Sequence, residues 1–396
     1  MRSFGQGAAT TGTNGAALHR RSFHRALEAD SIRTGHPVAR GESSRGRGLG
    51  DNVDADDIDE LGWHVERREL GVGGPEVSAV GLGCMNLSGG YGYADPGESL
   101  RVIGRALDRG VTLFDTADFY ADGENERLLG RGIAGRRAEA VLVTRGGVRA
   151  RTPGGPPTVL DGTPAYLRSA CEASLRRLGV DSIDVYLLGR VDPEVPVEES
   201  VGALAELRQE GKIKHIGLSE ASAATLRRAH AVHPIIALES EYSLWERHVE
   251  AEILPAARES GTTLIAHSPL GKGFLTGLLE NPDDLGEGDH RRNHPRLQSG
   301  NFQHNRRMVD EAQEVATELG VSPARLALAW LLARGKDIVP IPGSRRGSHM
   351  EDNIAAVRLA LSEEHTARLD RIFRPGRVAG SRHPGHRRTA GADRDG

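Results

Sequence analysis

TPAYLRSACEASLRRLGVDSIDVYLLGRVDPEVPVEESVGALAELRQEGKIKHIGL, residues 163–218, holds one pattern twice: a helical stretch followed by a short apolar run. Thr163 and Pro164 read as an N-cap and a first-turn proline. Leu167, Ala170, Cys171, Ser174, Leu175 and Leu178 recur at helical spacing, and Gly179 closes the helix. The run 183–188, IDVYLL, is too short for a helix and rich in apolar residues, so it reads as a strand buried on both faces. The run 213–218 repeats it after the next helical stretch. Strands separated by helices run parallel, because the crossover returns the chain to the same end of the sheet.

Working outward, the same alternation gives candidate strands at 79–82, 112–115, 140–144, 183–188, 213–218, 235–240, 263–267 and 338–341. Eight strands, each followed by a helix over some three hundred residues, fit an α/β architecture of the (β/α)8 barrel (TIM barrel) type better than a doubly wound sheet. Ser322 and Pro323 start another helix by the device used at Thr163. Gly73 and Gly74, between 68–70 and 77–79, predict a hairpin across the barrel's bottom. Residues 1–65 are rich in Gly, Ser, Arg and Asp without a sustained period, and 374–396 are rich in Gly, Arg and His. Both read as disordered tails flanking a barrel at 66–373.

A barrel builds its site at the C-terminal ends of the strands. The residues there are Asp115, Arg145, Gly189, Ser219, Glu239, His267 and Gly343. Two other motifs fail on context. Gly130, Gly132 and Gly135 spell G-x-G-x-x-G, but they close a helical stretch instead of linking a strand to a helix, so they read as a helix end and loop. Asp54, Asp56, Asp57 and Asp59 hint at a calcium loop, but Asp59 and Val65 stand where an EF-hand needs glycine and glutamate. No metal site is expected.

Composition excludes several function classes. A formal charge of -4 gives no footprint for nucleic acid or an anionic membrane. No run of about 18 apolar residues spans a bilayer. Arg20, Arg21 and Phe23 lack the apolar stretch that an export signal requires. Two cysteines, Cys84 and Cys171, build no disulfide framework and point to a reducing, cytoplasmic setting. All but four of the 51 basic residues are arginine, the lysines being Lys212, Lys214, Lys272 and Lys336. Small molecules are the expected partners, and nothing sets an oligomeric state.

The segments VSAVGLGCMNLS (77–88), GVTLFDTADFY (110–120), NERLLG (125–130), ACEASLRRLGVDSIDVYLL (170–188), ESEYSLWER (239–247), SPLGKGFLTG (268–277) and IVPIPGSRR (338–346) resemble bacterial aldo-keto reductases, in order, over about 66–373. The resemblance implies an NADP-dependent oxidoreductase that reduces an aldehyde or ketone with NADPH, or oxidises the alcohol with NADP+. It implies Tyr120 as general acid and Asp115 as its partner. A phenol with a pKa of about 10 is a poor acid unless a nearby cation stabilises the phenolate.

Two catalytic positions depart from the family. Arg145 stands for the usual lysine and Gly189 for the usual histidine. A guanidinium keeps the charge but prefers bidentate partners to a position beneath a phenol. Gly189 removes a donor outright, and losing one oriented oxyanion donor lowers rates by ~10²-fold or more in other enzymes. Glu239 stands for a glutamine that binds the nicotinamide carboxamide, and His267 for a tyrosine that stacks on the ring. Ser219, Ser268, Leu270 and Gly271 match the cofactor groove. Gly343, Ser344, Arg345, Arg346, Asp352 and Asn353 match its phosphate end, where backbone amides, a hydroxyl and guanidinium forks suit phosphate. Residues 272–305 form a long insertion at the catalytic face. The departures leave a second reading open: a weakly catalytic or noncatalytic NADP(H)-binding sensor on the same fold.

Overall fold

The computed structural model describes residues 66–149 and 159–382. The leader at 1–65, with its acidic cluster at 54–59, lies outside these residues. Eight parallel strands form one sheet in chain order: Leu82–Gly83, Leu113–Asp115, Val141–Gly146, Ile183–Leu188, Ile213–Ser219, Ile235–Glu241, Thr263–His267 and Ile338–Pro340. Gly81 N donates to Pro340 O at 2.9 Å and Gly83 N to Pro342 O at 3.2 Å, which joins the eighth strand to the first and closes the (β/α)8 barrel. The closing seam needs glycine. A Cβ on Gly83 would lie 2.7 Å from Ile341 O. The first strand, Leu82–Gly83, is shorter and later than the expected 79–82.

Side chains alternate along each strand, so every second residue points inward. Leu113, Val143, Val185, Leu187, Ala237, Ile265 and Val339 fill the interior, with Leu70 and Val77 from below. Each fully buried Leu, Ile or Val in this layer contributes about 1.5–3 kcal/mol relative to exposure. Leu70 and Val77 flank or belong to the expected bottom hairpin, Arg67–Glu69 paired antiparallel with Glu76–Ser78. Phe114, Leu142, Tyr186, Leu188, Leu218 and Leu264 face outward into the second core, beneath the helices.

The helices carry the expected punctuation. Thr163 caps Pro164–Leu178, Gly179 ends it with a φ of 67°, and Ser322 caps Pro323–Leu332. The G-x-G-x-x-G glycines close helix Glu124–Gly132 and its following loop. Arg105 and Arg109 of helix Pro96–Asp108 both hold Glu351 of helix Gly347–Ile354, at 2.7 and 2.6 Å, which ties the last barrel helix to the first. A small ribbon, Val148–Arg149 with Val159–Leu160, has no counterpart in the sequence reading.

The insertion is packed, not loose. Short turns at Gly271–Thr276, Pro282–Asp284, His290–Asn293 and Pro295–Leu297 lead into helix Ser299–Glu318. Phe274 stacks on Trp245 at 4.9 Å, and Phe302 meets Phe274 edge-on at 5.1 Å. The first residues of the segment read as a second tail also lie against the body. Arg377 pairs with Glu311 at 2.6 Å, Asn305 brackets Ala379, and Arg382 reaches the barrel mouth. Among the described residues no single helix is long and apolar enough to cross a membrane.

Candidate active site

The strand period builds the site. Asp115, Arg145, Gly189, Ser219, Glu239 and His267 each stand two residues beyond an inward position: Leu113, Val143, Leu187, Gly217, Ala237 and Ile265. All six therefore converge on the C-terminal mouth.

Arg145 is its hub. Its Nη2 donates to Asp115 Oδ2, its Nη1 to Glu239 Oε1, and its Nε to Thr116 O at 3.2 Å. The three charged side chains are 2–4% exposed. Burial pushes Asp115 well above the usual carboxylate range, with Arg145 pulling it back and Glu239 adding to the rise. Burial opposes the Arg145 charge, but Asp115 and Glu239 outweigh that and hold the guanidinium well above its ordinary value. In a low dielectric the shared guanidinium offsets the cost of burying the two carboxyls beside it. Glu239 Oε2 is buried and has no hydrogen-bond partner among the described residues.

Tyr120 opens a single irregular turn, Tyr120–Gly123, directly after the second strand's loop. Its ring packs edge-on to Phe119 at 4.9 Å, and Arg145 Cζ lies 5.8 Å from its centroid. Burial raises the phenol above its usual value, and Arg145 draws it only part of the way back. Tyr120 therefore keeps its proton at neutral pH. Two residues earlier, Asp118 is pushed up to about 7, by burial first and by Glu126 second, and its buried Oδ1 has no partner among the described residues.

Gly189 leaves no side chain at the end of the fourth strand. A Cβ there would come within 2.9 Å of Gly146 O and 3.3 Å of Arg145 Cγ. The backbone of the third strand thus crowds the place where the resemblance puts an imidazole. Ser219 is buried and accepts from Arg190 Nη1 at 3.0 Å. His267 Nε2 lies 2.7 Å from Glu220 Oε1, and its Nδ1 3.2 Å from Ser268 Oγ. Ser268, Leu270 and Gly271 follow in a tight turn with Gly271 N donating to Ser268 O at 2.8 Å.

A second cluster sits beyond the eighth strand. Ser344 is buried and accepts from Asn353 Nδ2 at 2.9 Å. Gly343 packs so closely on Asn86 that a Cβ would lie 2.7 Å from its Oδ1. Arg345 and Arg346 are exposed at the start of helix Gly347–Ile354, with Arg345 Nη1 donating to Tyr93 O at 2.9 Å. Asp352 turns elsewhere: it pairs with Arg325 at 2.7 Å and accepts from Ser322 Oγ.

Four residues of the mouth escaped the sequence reading. Arg190 and Glu220 lie one residue past strand ends that were read, and Glu241 ends the sixth strand. Arg382 Nη2 donates to Glu220 Oε1 at 2.5 Å and its Nε to Glu241 Oε2 at 2.8 Å, while Lys272 holds the other Glu241 oxygen at 2.7 Å. Burial would raise Glu220, but His267 and Arg382 hold it well below the usual range; for Glu241, Lys272 and Arg382 do the same. Glu220, Ser268 and Lys272, with Ala121 and Asp122 beside Tyr120, are the non-glycine residues with left-handed φ among those described. Each such backbone costs about 1–2 kcal/mol and is found where function over-determines the chain. No group of three or more metal-ligating side chains is placed to hold a metal among the described residues.

Comparison with known proteins agrees with this fold. The model of the Aldo/keto reductase family matches residues 79–374. A probable aldo-keto reductase 1 from Glycine max is 42% identical over 325 residues, covering 81% of this chain and 92% of that protein. The glycerol dehydrogenase of Gluconobacter oxydans superimposes with a TM-score of 0.70 at 29% identity, over 76% of this chain and 92% of its own. An aldo/keto reductase from Klebsiella pneumoniae, solved in complex with NADP and acetate, does so with a TM-score of 0.63 at 28% identity, over 81% and 99%.

Proposed function

This chain belongs to the aldo/keto reductase family of oxidoreductases, and from that premise we propose that it is an NADPH-dependent carbonyl reductase in which Tyr120 is the general acid. The observation that carries the reading is the convergence at the barrel mouth of Tyr120 with an arginine cation clamped by two buried carboxyls.

The residues fit the dinucleotide. The orphaned, buried Glu239 Oε2 offers an acceptor to a carboxamide nitrogen. His267 presents a planar ring held by Glu220, with Ser219, Ser268, Leu270 and Gly271 lining the groove beside it. Gly343, Ser344, Arg345 and Arg346, steadied by Asn353, offer backbone amides, a hydroxyl and two exposed cations to phosphates. Asp352 supports that end indirectly, by fixing helix Gly347–Ile354 through Arg325.

When bound, NADPH supplies the hydride that reduces the carbonyl carbon. Tyr120 gives its proton to the carbonyl oxygen, and its raised pKa keeps that proton in place until charge develops there. Arg145 stabilises the phenolate that remains, and Asp115 and Glu239 fix the guanidinium's position. Small aldehydes or ketones, or their alcohols in reverse, are the substrates. The free, buried thiols of Cys84 and Cys171 suit a reducing cytoplasm.

One observation favours the noncatalytic alternative: both terminal nitrogens of Arg145 are engaged by carboxyls, so its charge is shared before it reaches Tyr120. Fluorescence titration with NADPH followed by a carbonyl panel separates the two. The reductase reading expects binding and turnover. Tight binding with no turnover above buffer on any carbonyl contradicts it.

A further inference from the structure

Gly189 deprives the mouth of a donor, and the next residue turns back over the same strand end. Arg190 Nη1 donates to the carbonyl oxygen of Gly189 at 2.7 Å and to Ser219 Oγ at 3.0 Å. Both acceptors are neutral. Among the described residues Arg190 forms no ion pair, and its Nε and Nη2, with three N–H groups, make no hydrogen bond. The side chain is half-buried, and that burial lowers its pKa, with Glu220 the strongest opposing charge. Its bonds to Gly189 O and Ser219 Oγ hold the guanidinium at the mouth ends of the fourth and fifth strands, where Arg145, Glu239 and Tyr120 act on it through space.

A half-buried cation whose partners are all neutral keeps its charge available to an anion that arrives beside it. The carboxyls that act on it are already committed: Glu239 to Arg145, and Glu220 to His267 and Arg382. The anion that appears at this mouth during carbonyl reduction is the alkoxide. It forms when hydride reaches the carbonyl carbon and the C–O π pair moves onto oxygen.

We propose that Arg190 donates a hydrogen bond to the substrate's carbonyl oxygen and holds the developing alkoxide, in the place of the absent imidazole. The proton that neutralises the alkoxide comes from Tyr120, and Arg190 keeps all of its own. This assignment rests on the carbonyl-reductase reading.

The test uses the full chain, Arg190→Met, which keeps length and removes every donor, and Arg190→Lys, which keeps charge. Three quantities are measured: turnover with a carbonyl from the panel, NADPH affinity, and calorimetric binding of acetate, a small carboxylate, to the NADP+-loaded protein. The Met variant is expected to lose ~10²-fold or more in kcat. Its acetate affinity should fall ~10-fold or more, while NADPH affinity stays within about twofold and Tm does not fall, because no ion pair among the described residues is broken. The Lys variant falls between. Unchanged turnover and acetate binding in the Met variant overturn the proposal. So does a parallel loss of NADPH affinity, which would assign Arg190 to the cofactor, and so does the absence of acetate binding by the natural protein. If the natural protein reduces no carbonyl but binds acetate through Arg190, the reductase reading fails and the anion donor survives.

Discussion

Replacing Arg145 by methionine isolates the electrostatics of the mouth. The side chain keeps its volume approximately, but Asp115 and Glu239, each under 5% exposed, lose their shared cation. In the natural protein the guanidinium offsets the two carboxyls. Without it, one more proton must be bound at the pair, or a carboxylate remains as an unpaired buried charge. Each pH unit above the unfolded pKa of about 4 then adds about 1.36 kcal/mol to the difference from the natural protein. The worked loss is about 1 kcal/mol at pH 5 and about 5 kcal/mol at pH 8, the upper end matching what a broken buried ion pair costs. The sign follows from a raised carboxyl pKa in the folded state: stability is complete below the unfolded value and is lost as pH rises. At pH 8 the loss corresponds to a fall in Tm of roughly 10 °C. Urea unfolding at the two pH values measures it, and Glu239→Gln added to Arg145→Met should recover most of it at pH 8. A loss under about 1 kcal/mol at pH 8, or a loss independent of pH, would refute this account of the trio.

Gly189→Ala places a Cβ 2.9 Å from Gly146 O and should cost about 1–3 kcal/mol in denaturant unfolding; by the same contact, Gly189→His should not raise turnover. Asp118→Asn removes a carboxyl whose folded pKa is pushed up to about 7. Ionising Asp118 opposes folding, so the substitution should leave stability unchanged near pH 4 and raise it by up to about 4 kcal/mol by pH 8, read from unfolding curves across that range.

The fold was legible because two periods coexist in the chain. Runs such as 183–188 and 263–267 match the observed strands to the residue, the first of them after a helix that left-handed Gly179 ends. The same period of two made the inward positions at 115, 145, 189, 219, 239 and 267 readable from the sequence. What those residues do to each other was not legible. Arg145 and Glu239 are 94 positions apart, and only barrel closure brings them together. Arg190 and Glu220 stand one step past the residues that the strand period selects, and Glu220 faces the mouth through a left-handed backbone that no local pattern announces. Arg382 sits in a stretch with tail-like composition, and its three-dimensional return to Glu220 and Glu241 depends on charges more than 140 positions away.

The central claim is that Tyr120 delivers the proton in an NADPH-driven carbonyl reduction. Single-turnover reduction of an aldehyde by protein preloaded with NADPH tests it, with the natural chain beside Tyr120→Phe. The account predicts reduction by the natural protein and a loss of ~10²-fold or more in the Phe variant at unchanged NADPH affinity. Equal rates in the two proteins, or no reduction by the natural one, would contradict it.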